Sequence, residues 1–390
     1  MKKLLTSPSK MPLSEAEASL YQNVLKQIPE VSLNLMAVKV TNHPQDFVGW
    51  CLELIDVCKK RINFDLLEPA QLPVLRKIQQ YLETGVSLSQ LRTLRIAPWA
   101  VIAQTLEHSQ TQLVLSEQLA LANFLATLRD KPLAHMSKED RLAFAGKHTQ
   151  AHDPAVYSFD VEWFASTKAA KGFHQLLETS CTELDEALAE IPLTGDVEYN
   201  HYQAFIARYI AAFAIIEDET ATLAPATRLL AMRRPDVFTP ITSSSLDLLA
   251  QSLSVTRLNN RDFDRYWHDI VMAIHKQPWF VQATDASEFE ARILPFKALV
   301  PCWFTYYGDD SELQSNYYKL VNKPKHNAQS NSTQVARKRS KESAESLVDK
   351  ALAHDDIPAH IRNLRDSIVS EVEKGRSVDE TIALMRTIFG

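Results

Sequence analysis

Glycine is scarce in this chain, and this scarcity constrains the fold more than any other feature of the sequence. Only 8 of the 390 residues are glycine, against a usual share of about 7%. Tight hairpins, bulges and phosphate-binding loops need glycine, because glycine adopts positive φ angles without strain. The composition therefore argues against an all-β fold, a Rossmann unit and a P-loop enzyme. Apolar residues instead recur at helical spacing, so we predict an all-α protein built as a multi-helix array.

Breaks in the hydrophobic pattern divide this array into two main domains and a small C-terminal helical module. Glycine, histidine and proline cluster between residues 146 and 158, and seven Lys or Arg residues with no Asp or Glu occur from Leu313 to Lys341. Such stretches are typical of linkers. The predicted segments are a flexible arm (1–12), an N-terminal helical domain (13–145), a linker (146–158), a central helical domain (159–320), a basic flexible linker (321–341) and a C-terminal helical module (342–390).

Three of the predicted helices bear on later arguments. A capping box predicts that the first helix begins at Ser14. The helix over 72–83 is predicted to end at Gly85 as a glycine C-cap, and the next one to begin at Ser87. The run 202–216 is apolar on all sides, which predicts a buried helix.

Charge and cysteine content indicate an ordinary cytoplasmic protein. The net charge of −6 does not favour a dedicated nucleic-acid coat, although it leaves room for a local basic patch. None of the four cysteines forms a C-x-x-C pair, so we expect buried free thiols in a reducing compartment. The sequence shows neither the apolar core of a signal peptide nor a run of 18 apolar residues, so we expect no contact with membranes.

Three polar motifs raise the question of catalysis. His148 and His152 have the i, i+4 spacing of a zinc site on a helix. The glutamate that should follow the first histidine is missing, so we interpret both as solvated linker residues. The acidic run 217–219 is interpreted as exposed acids or cap residues, and the serines 243–245 as the cap of a helix. We therefore predict no catalytic residue, no metal ligand and no cofactor.

The segment Arg233-Arg234-Pro235-Asp236 interrupts an apolar helical run and is the most informative polar motif. Arginines in the last turn of a helix suit the helix dipole, and Pro235 ends the helix. Two interpretations remain open. Asp236 pairs with Arg233 or Arg234 and braces a helix junction, or the guanidinium groups are presented to a phosphate or an acidic partner.

Residues 226–280 resemble a segment of uncharacterised bacterial proteins, some of which lie near restriction and phage-defence genes. The matching residues are Thr227-Arg228-Leu229-Leu230-Ala231-Met232-x-Arg234-Pro235-Asp236-x-Phe238, then Asp264-Arg265-Tyr266-Trp267, then Pro278-Trp279-Phe280. The resemblance implies a place in a defence-type or DNA-processing assembly, and it brings no established activity. In that pattern a cysteine or valine followed by an aspartate often comes after the phenylalanine, whereas this chain has Thr239-Pro240-Ile241-Thr242-Ser243.

Positive charge is locally dense in two parts of an otherwise acidic chain. If the protein binds nucleic acid, we expect these residues to contact the phosphate backbone. The predicted nucleic-acid-binding residues are Arg233, Arg234, Lys323, Lys325, Arg337, Lys338, Arg339 and Lys341. The segment 85–92 also resembles the turn and the first residues of a recognition helix in a helix-turn-helix.

These patterns lead to one expected function and two alternatives. We expect a non-catalytic subunit of a bacterial defence-type or DNA-processing assembly, which binds a protein partner and, as a second expectation, DNA or RNA. One alternative is a hydrolase or nuclease whose site is dispersed over the central domain. The other is a pure protein-interaction scaffold, which unlike a nucleic-acid binder would be indifferent to salt.

Overall fold

The protein is helical throughout the part of the chain that the structure describes. The computed structural model describes residues 11–31, 38–111, 113–216, 218–280, 286–304 and 315–322, and in the C-terminal part 344–352, 357, 359–373, 378, 381–382 and 385. None of these residues lies in a β-strand, so the predicted all-α class is confirmed. The chain divides into two compact units, Met1–Lys323 and Pro324–Gly390. Within the described ranges, no helix has both the length and the apolar character needed to cross a membrane.

The described part of the first unit is a succession of short helices and one longer helix. Its α-helices are α1 (Glu15–Gln27), α2 (Phe47–Asp56), α3 (Gln71–Leu94), α4 (Trp99–His108), α5 (Leu115–Ala126), α6 (Lys138–Ala145), α7 (Lys171–Thr179), α8 (Cys181–Ala189), α9 (Tyr199–Phe213), α10 (Leu223–Arg233), α11 (Ser243–Leu253), α12 (Phe263–Arg265), α13 (Met272–His275), α14 (Glu288–Ile293), α15 (Val300–Trp303) and α16 (Asn316–Val321). Short 3₁₀ turns lie at Ile28–Val31, Phe64–Leu66, Leu133–His135 and Leu294–Leu299. Two π-helical segments, Val57–Arg61 and Tyr266–Val271, continue α2 and join α12 to α13.

Helices α1, α2 and α3 enclose a first hydrophobic core, the N-terminal core, whose buried residues run from Tyr21 to Val86. The predicted capping box opens α1, since the Ser14 N–H donates to the Glu17 carboxylate at 2.9 Å and the Ser14 hydroxyl accepts from the Glu17 N–H. The rings of Tyr21 and Trp50 then meet edge to face with centroids 5.2 Å apart. Capping and aromatic packing together fix α1 against α2.

α3 is one continuous helix, so the predicted break at Gly85 is wrong. A Cβ on Gly85 would lie 3.2 Å from the sulfur of Cys51, which means that the glycine allows close approach of α2 and does not end a helix. Ser89 and Arg92 donate to the carboxylate of Glu17 at 2.9 and 2.5 Å. The turn that the helix-turn-helix interpretation requires is therefore absent from residues 85–92, and the side chains of Ser89 and Arg92 contact α1.

A second and larger core, the central core, includes side chains from Leu91 near the end of α3 to Phe304 just after α15. α3 thus contributes to both cores, because its earlier residues from Leu75 onward belong to the N-terminal core. Tyr266, Trp267 and Trp279 are buried in the central core. Their helical spacing predicts a packing role, which the structure confirms.

The segment 146–158, predicted as a linker, buries Gly146, His152 and Tyr157 and exposes about half of its other residues. His152 is 1% exposed, and its ring meets the ring of Tyr157 edge to face at 4.8 Å. Backbone groups satisfy this imidazole: Nδ1 accepts from the Thr149 N–H at 3.0 Å, and Nε2 donates to the Glu139 carbonyl at 3.1 Å. The expectation of a solvated linker histidine here is wrong, because the local backbone supplies the partners that a buried histidine needs.

The second unit has a small core of its own. Its described helices are α17 (Ala344–Leu352), α18 (Ala359–Arg362) and α19 (Arg365–Glu373). Val348, Ile361 and Ile368 are buried between them. Arg365 on α19 donates to both carboxylate oxygens of Asp349 on α17, at 2.6 and 2.9 Å. The described part of this unit is therefore helical, with an apolar interior.

Candidate functional site

Arg228, in the middle of α10, is completely buried and binds four backbone carbonyls. Its Nε donates to the Phe144 carbonyl at 3.0 Å, and its Nη2 donates to Ala143 at 2.9 Å and Val161 at 3.2 Å. Its Nη1 donates to the carbonyl of Trp163. Two of these carbonyls lie at the C-terminal end of α6, at the negative end of the helix dipole. The Ala143 carbonyl also accepts from the Gly146 N–H at 3.1 Å. We call this arrangement the Arg228 node; it caps α6 and ties it to the segment that follows.

In the Arg228 node, the guanidinium cation is stabilised by the dipoles of backbone carbonyl groups. Burial lowers the pKa of Arg228 to about 9, and the charges of Asp160 and Glu162 act in the opposite direction. Gly146 ends α6 with a φ of 79°. A Cβ on Gly146 would lie 2.7 Å from the Ala165 carbonyl and 3.2 Å from the Arg228 Nε. The described contacts of the guanidinium are all internal, so the node holds backbone in place and presents no charge to a ligand.

A buried threonine and a buried histidine continue this network. The Thr167 hydroxyl donates to the Ala145 carbonyl at 2.6 Å, and the Thr167 N–H donates to Gly146 at 3.0 Å. His174 on α7 contacts the Thr167 carbonyl through Nε2 at 3.0 Å. Burial and, to a smaller extent, the charge of Lys147 lower the pKa of His174 to about 4, although the hydrogen bond to Thr167 acts in the opposite direction. His174 is therefore neutral at pH 7, and like Arg228 it has a structural role.

Arg234, one of the predicted nucleic-acid contacts, lies in an internal ion pair. Its Nε and Nη2 each donate to one carboxylate oxygen of Asp236 at 2.8 Å, and it also donates to two carbonyls of the loop between α8 and α9. It is 4% exposed. Arg233 is half-buried and donates to the Arg129 carbonyl at 2.7 Å. This is the geometry of the bracing interpretation, in which the arginines fix the end of α10.

The other predicted nucleic-acid-binding residues lie outside the described residues. They are Lys323, Lys325, Arg337, Lys338, Arg339 and Lys341. The structure therefore places only Arg233 and Arg234 of the predicted set, and both donate to internal carbonyl or carboxylate groups.

A cleft of about 580 Å³ lies where α7, α10 and α11 begin, and it includes two of the three serines 243–245. These serines open α11, and the Thr242 hydroxyl caps it by accepting from the backbone of the third serine at 3.1 Å. The Glu219 carboxylate lies over Gly172 at the start of α7, with an oxygen 2.6 Å from the position of a Cβ there. Within the described ranges, no three His, Cys, Asp or Glu side chains are grouped to hold a metal ion. The cleft is built from helix starts and their caps.

The inner face of α9 packs in the central core, where Tyr202 stacks on Trp267 with centroids 5.2 Å apart. The outer face, continued by the turn after the helix, presents five exposed apolar residues, which we call the α9 stripe. They are Ala207, Ile210, Ala211, Ala214 and Ile215. Ile210 and Ile215 are 45% and 58% exposed. The prediction that 202–216 is buried on all sides is therefore wrong for this face.

Charged side chains border the α9 stripe. Arg208 donates to Glu190 at 2.6 Å and to Glu186 at 3.1 Å, and both acids belong to the neighbouring helix α8 or the residue that follows it. Asp218 and Glu219 follow the stripe in the chain and are exposed. The arrangement is an apolar strip with a mainly acidic border, which suits a contact with another macromolecule better than the binding of a small molecule. Comparisons of the chain with family models, with curated proteins and with solved structures find no match.

Proposed function

We propose that this protein is a non-catalytic subunit of a bacterial defence-type or DNA-processing assembly and that it binds a protein partner through the α9 stripe. The observation that carries partner binding is an exposed apolar helix face whose opposite side packs in the central core. A helix that is apolar all round is normally covered on every side. Contiguous exposed apolar patches mark interaction sites, whereas single exposed apolar residues do not. The assembly context is supported by the resemblance of residues 226–280 alone.

The α9 stripe has the composition of a helix-packing surface. Its alanines allow the backbone of a partner to come close, and Ile210 and Ile215 supply larger apolar side chains. Burying one isoleucine stabilises a contact by about 1.5–3 kcal/mol. Micromolar affinity requires about 8 kcal/mol. The stripe therefore supplies part of the binding free energy, and the partner must also contact the charged border.

The non-catalytic part of the proposal is supported by the internal partners of the most deeply buried polar residues. Arg228 and Arg234 donate to backbone carbonyls and to Asp236, and His152 is satisfied by backbone groups. An active site needs polar side chains that converge on a cavity and remain available to a substrate. These side chains instead stabilise the fold.

Binding of DNA or RNA is a separate part of the proposal, and it depends on the basic residues 323–341. Reversing the charges at 337–341 should weaken binding and lower the slope of log K against log salt by about one unit for each phosphate that the protein no longer neutralises. The same change at Arg234 would break its pair with Asp236 and destabilise the protein instead. If the purified protein shows no salt-sensitive binding to DNA or RNA at about 50 mM salt, where such interactions are strongest, this part is overturned.

Partner capture with matched variants tests the role of the α9 stripe. Ile210→Asp and Ile215→Asp place a charge in the stripe. Ile96→Asp makes the same substitution at an isoleucine that is 79% exposed and lies outside the stripe. Crosslinking in the source organism should recover a partner with the wild type and with Ile96→Asp, and fail to recover it with both stripe variants. Unchanged capture by stripe variants that melt like the wild type would overturn partner binding through α9.

A further inference from the structure

We propose that the partner bound to the α9 stripe is an amphipathic helix of another protein whose apolar face is flanked by basic side chains. This inference rests on the proposed function and adds the chemistry of the partner. It follows from the shape of the stripe and from the charges at its border, which belong to described residues of α8, α9 and the turns after them.

The stripe is the outer face of a single helix and of the turn that follows it. Ile210 lies in the last turn of α9, and Ile215 lies in the turn after Phe213, where the helix ends. Small side chains, those of Ala207, Ala211 and Ala214, make up the rest of the exposed face. An amphipathic helix can pack on such a face through apolar side chains at i, i+3 or i+4, and i+7.

The border of the stripe has more carboxylates than cations. The Arg208 guanidinium is shared between Glu186 and Glu190, whose side chains are 68% and 32% exposed. One positive charge thus serves two acids, and exposed Asp218 and Glu219 add negative charge at the end of the stripe. Lys171 lines the cleft beside Glu219, and Arg261 donates to the hydroxyl of Thr220 at 2.9 Å, so the excess of negative charge is clearest at Glu186 and Glu190. Lysine or arginine on a partner would complement these groups.

Charge also argues against other occupants of the stripe. A second copy of this chain would bring the same acidic border against itself, and like charges that face each other oppose association. An anionic membrane surface or a nucleic acid would be repelled in the same way. An amphipathic helix with basic flanks would bury its apolar face on the stripe and pair its cations with the acidic border.

Two designed helical peptides of equal length provide the test with the full-length protein. They share one Leu/Ala face and differ only in whether the flanking residues are Lys or Glu. Fluorescence anisotropy should give a Kd at least about tenfold lower for the Lys peptide, the sum of a few surface ion pairs. The advantage should shrink between about 50 mM and about 500 mM salt. Ile210→Asp should weaken the binding of the Lys peptide and Ile96→Asp should not.

Substitutions at the border separate charge from apolar contact. Glu186→Gln and Asp218→Asn are changes at exposed side chains. Each should reduce the preference for the Lys peptide and leave the melting temperature unchanged. Equal affinity for both peptides, a preference for the Glu peptide, or no binding of the Lys peptide would overturn the inference. The capture experiment decides the proposed function separately, because it depends on the stripe and not on the flanking charge of the partner.

Discussion

Helices α9 and α10 follow each other in the chain, and they reverse the usual relation between residue type and burial. Arg228 on α10 is 0% exposed, whereas Ile210 on α9 is 45% exposed. The arginine is inside because four carbonyls from residues 143–163 accept its N–H groups. The isoleucine is outside because its face of α9 points away from the central core. Burial in this protein is decided by the partners that a position offers, and hydrophobicity alone does not predict it.

Removing the arginine should give the largest effect. Arg228→Met removes the guanidinium donor of four carbonyls, of which that of Ala143 keeps the Gly146 N–H. We therefore expect the free energy of unfolding to fall by about 5 kcal/mol. Urea unfolding followed by circular dichroism measures this decrease. Arg208→Met is the control, because Arg208 is half-exposed in a surface pair and should contribute less than about 1 kcal/mol. A small effect at Arg228 would show that water or other groups replace the guanidinium, and the comparison would fail.

The inner face of α9 should be nearly as sensitive. Trp267 is 5% exposed and stacks on Tyr202 of α9, so Trp267→Ala should cost about 3–5 kcal/mol. Calorimetry or denaturant unfolding measures the change. An unchanged melting temperature would mean that α9 is not held to the central core by this stacking, and its exposed outer face would need another explanation.

Two glycines with similar backbone angles test how tightly the Arg228 node is packed. Gly146 and Gly195 have φ angles of 79° and 76°. A Cβ on Gly146 would contact Ala165 and Arg228, whereas nothing lies within 4 Å of a Cβ on Gly195. Gly195→Ala should therefore cost only the backbone strain of about 1 kcal/mol, and Gly146→Ala about 2–3 kcal/mol. Equal decreases in the free energy of unfolding in urea would mean that the node has room to relax.

Acid should weaken the network that contains His174. The folded-state pKa of His174 is lowered to about 4, below the unfolded value near 6.5. The unfolded chain then binds more protons between these values, so stability is full above about pH 6.5 and declines as the pH falls toward 4. Melting temperatures from pH 7.5 to 4.5 should fall less steeply for His174→Gln than for the wild type. An unchanged slope in His174→Gln would contradict the assignment.

The smallest effect on stability is expected in the α9 stripe. Ile210→Asp changes an exposed side chain, so the free energy of unfolding should change by no more than about 0.5 kcal/mol while partner capture is abolished. A decrease above about 1 kcal/mol in urea unfolding would show that Ile210 supports the fold. The contrast between the two helices would then be one of degree.

The fold class and the local signals could be predicted from the sequence. Scarcity of glycine excluded the glycine-dependent folds, the capping box at Ser14 predicted the start of α1, and helical spacing identified Trp267 and Trp279 as core. Each of these signals depends on residues close together in the chain. The predicted helix end at Gly85 is wrong because the role of this glycine depends on its contact with Cys51 of α2, which no local sequence pattern reveals.

The candidate site could be predicted only in part, and the reason is again distance along the chain. Arg228 was visible only as a polar residue in an apolar run, since its carbonyl partners lie 65 to 85 residues away. The pattern around α9 showed apolar residues on every side, and it contained no information about which side the rest of the protein would cover. The pairing of Arg234 with Asp236 could be foreseen as one of two interpretations because the residues are two positions apart.

Because α3 contributes side chains to both hydrophobic cores, it affects how the protein unfolds. Side chains in its first part belong to the N-terminal core, and Leu91 and Leu94 belong to the central core. Unfolding of either core would remove α3 side chains from the other core. We therefore expect both cores to unfold, and their backbone amides to exchange with solvent, as one cooperative unit. The amides in the middle of α3 should then be the slowest to exchange with deuterium, and the exposed turn after α9 among the fastest.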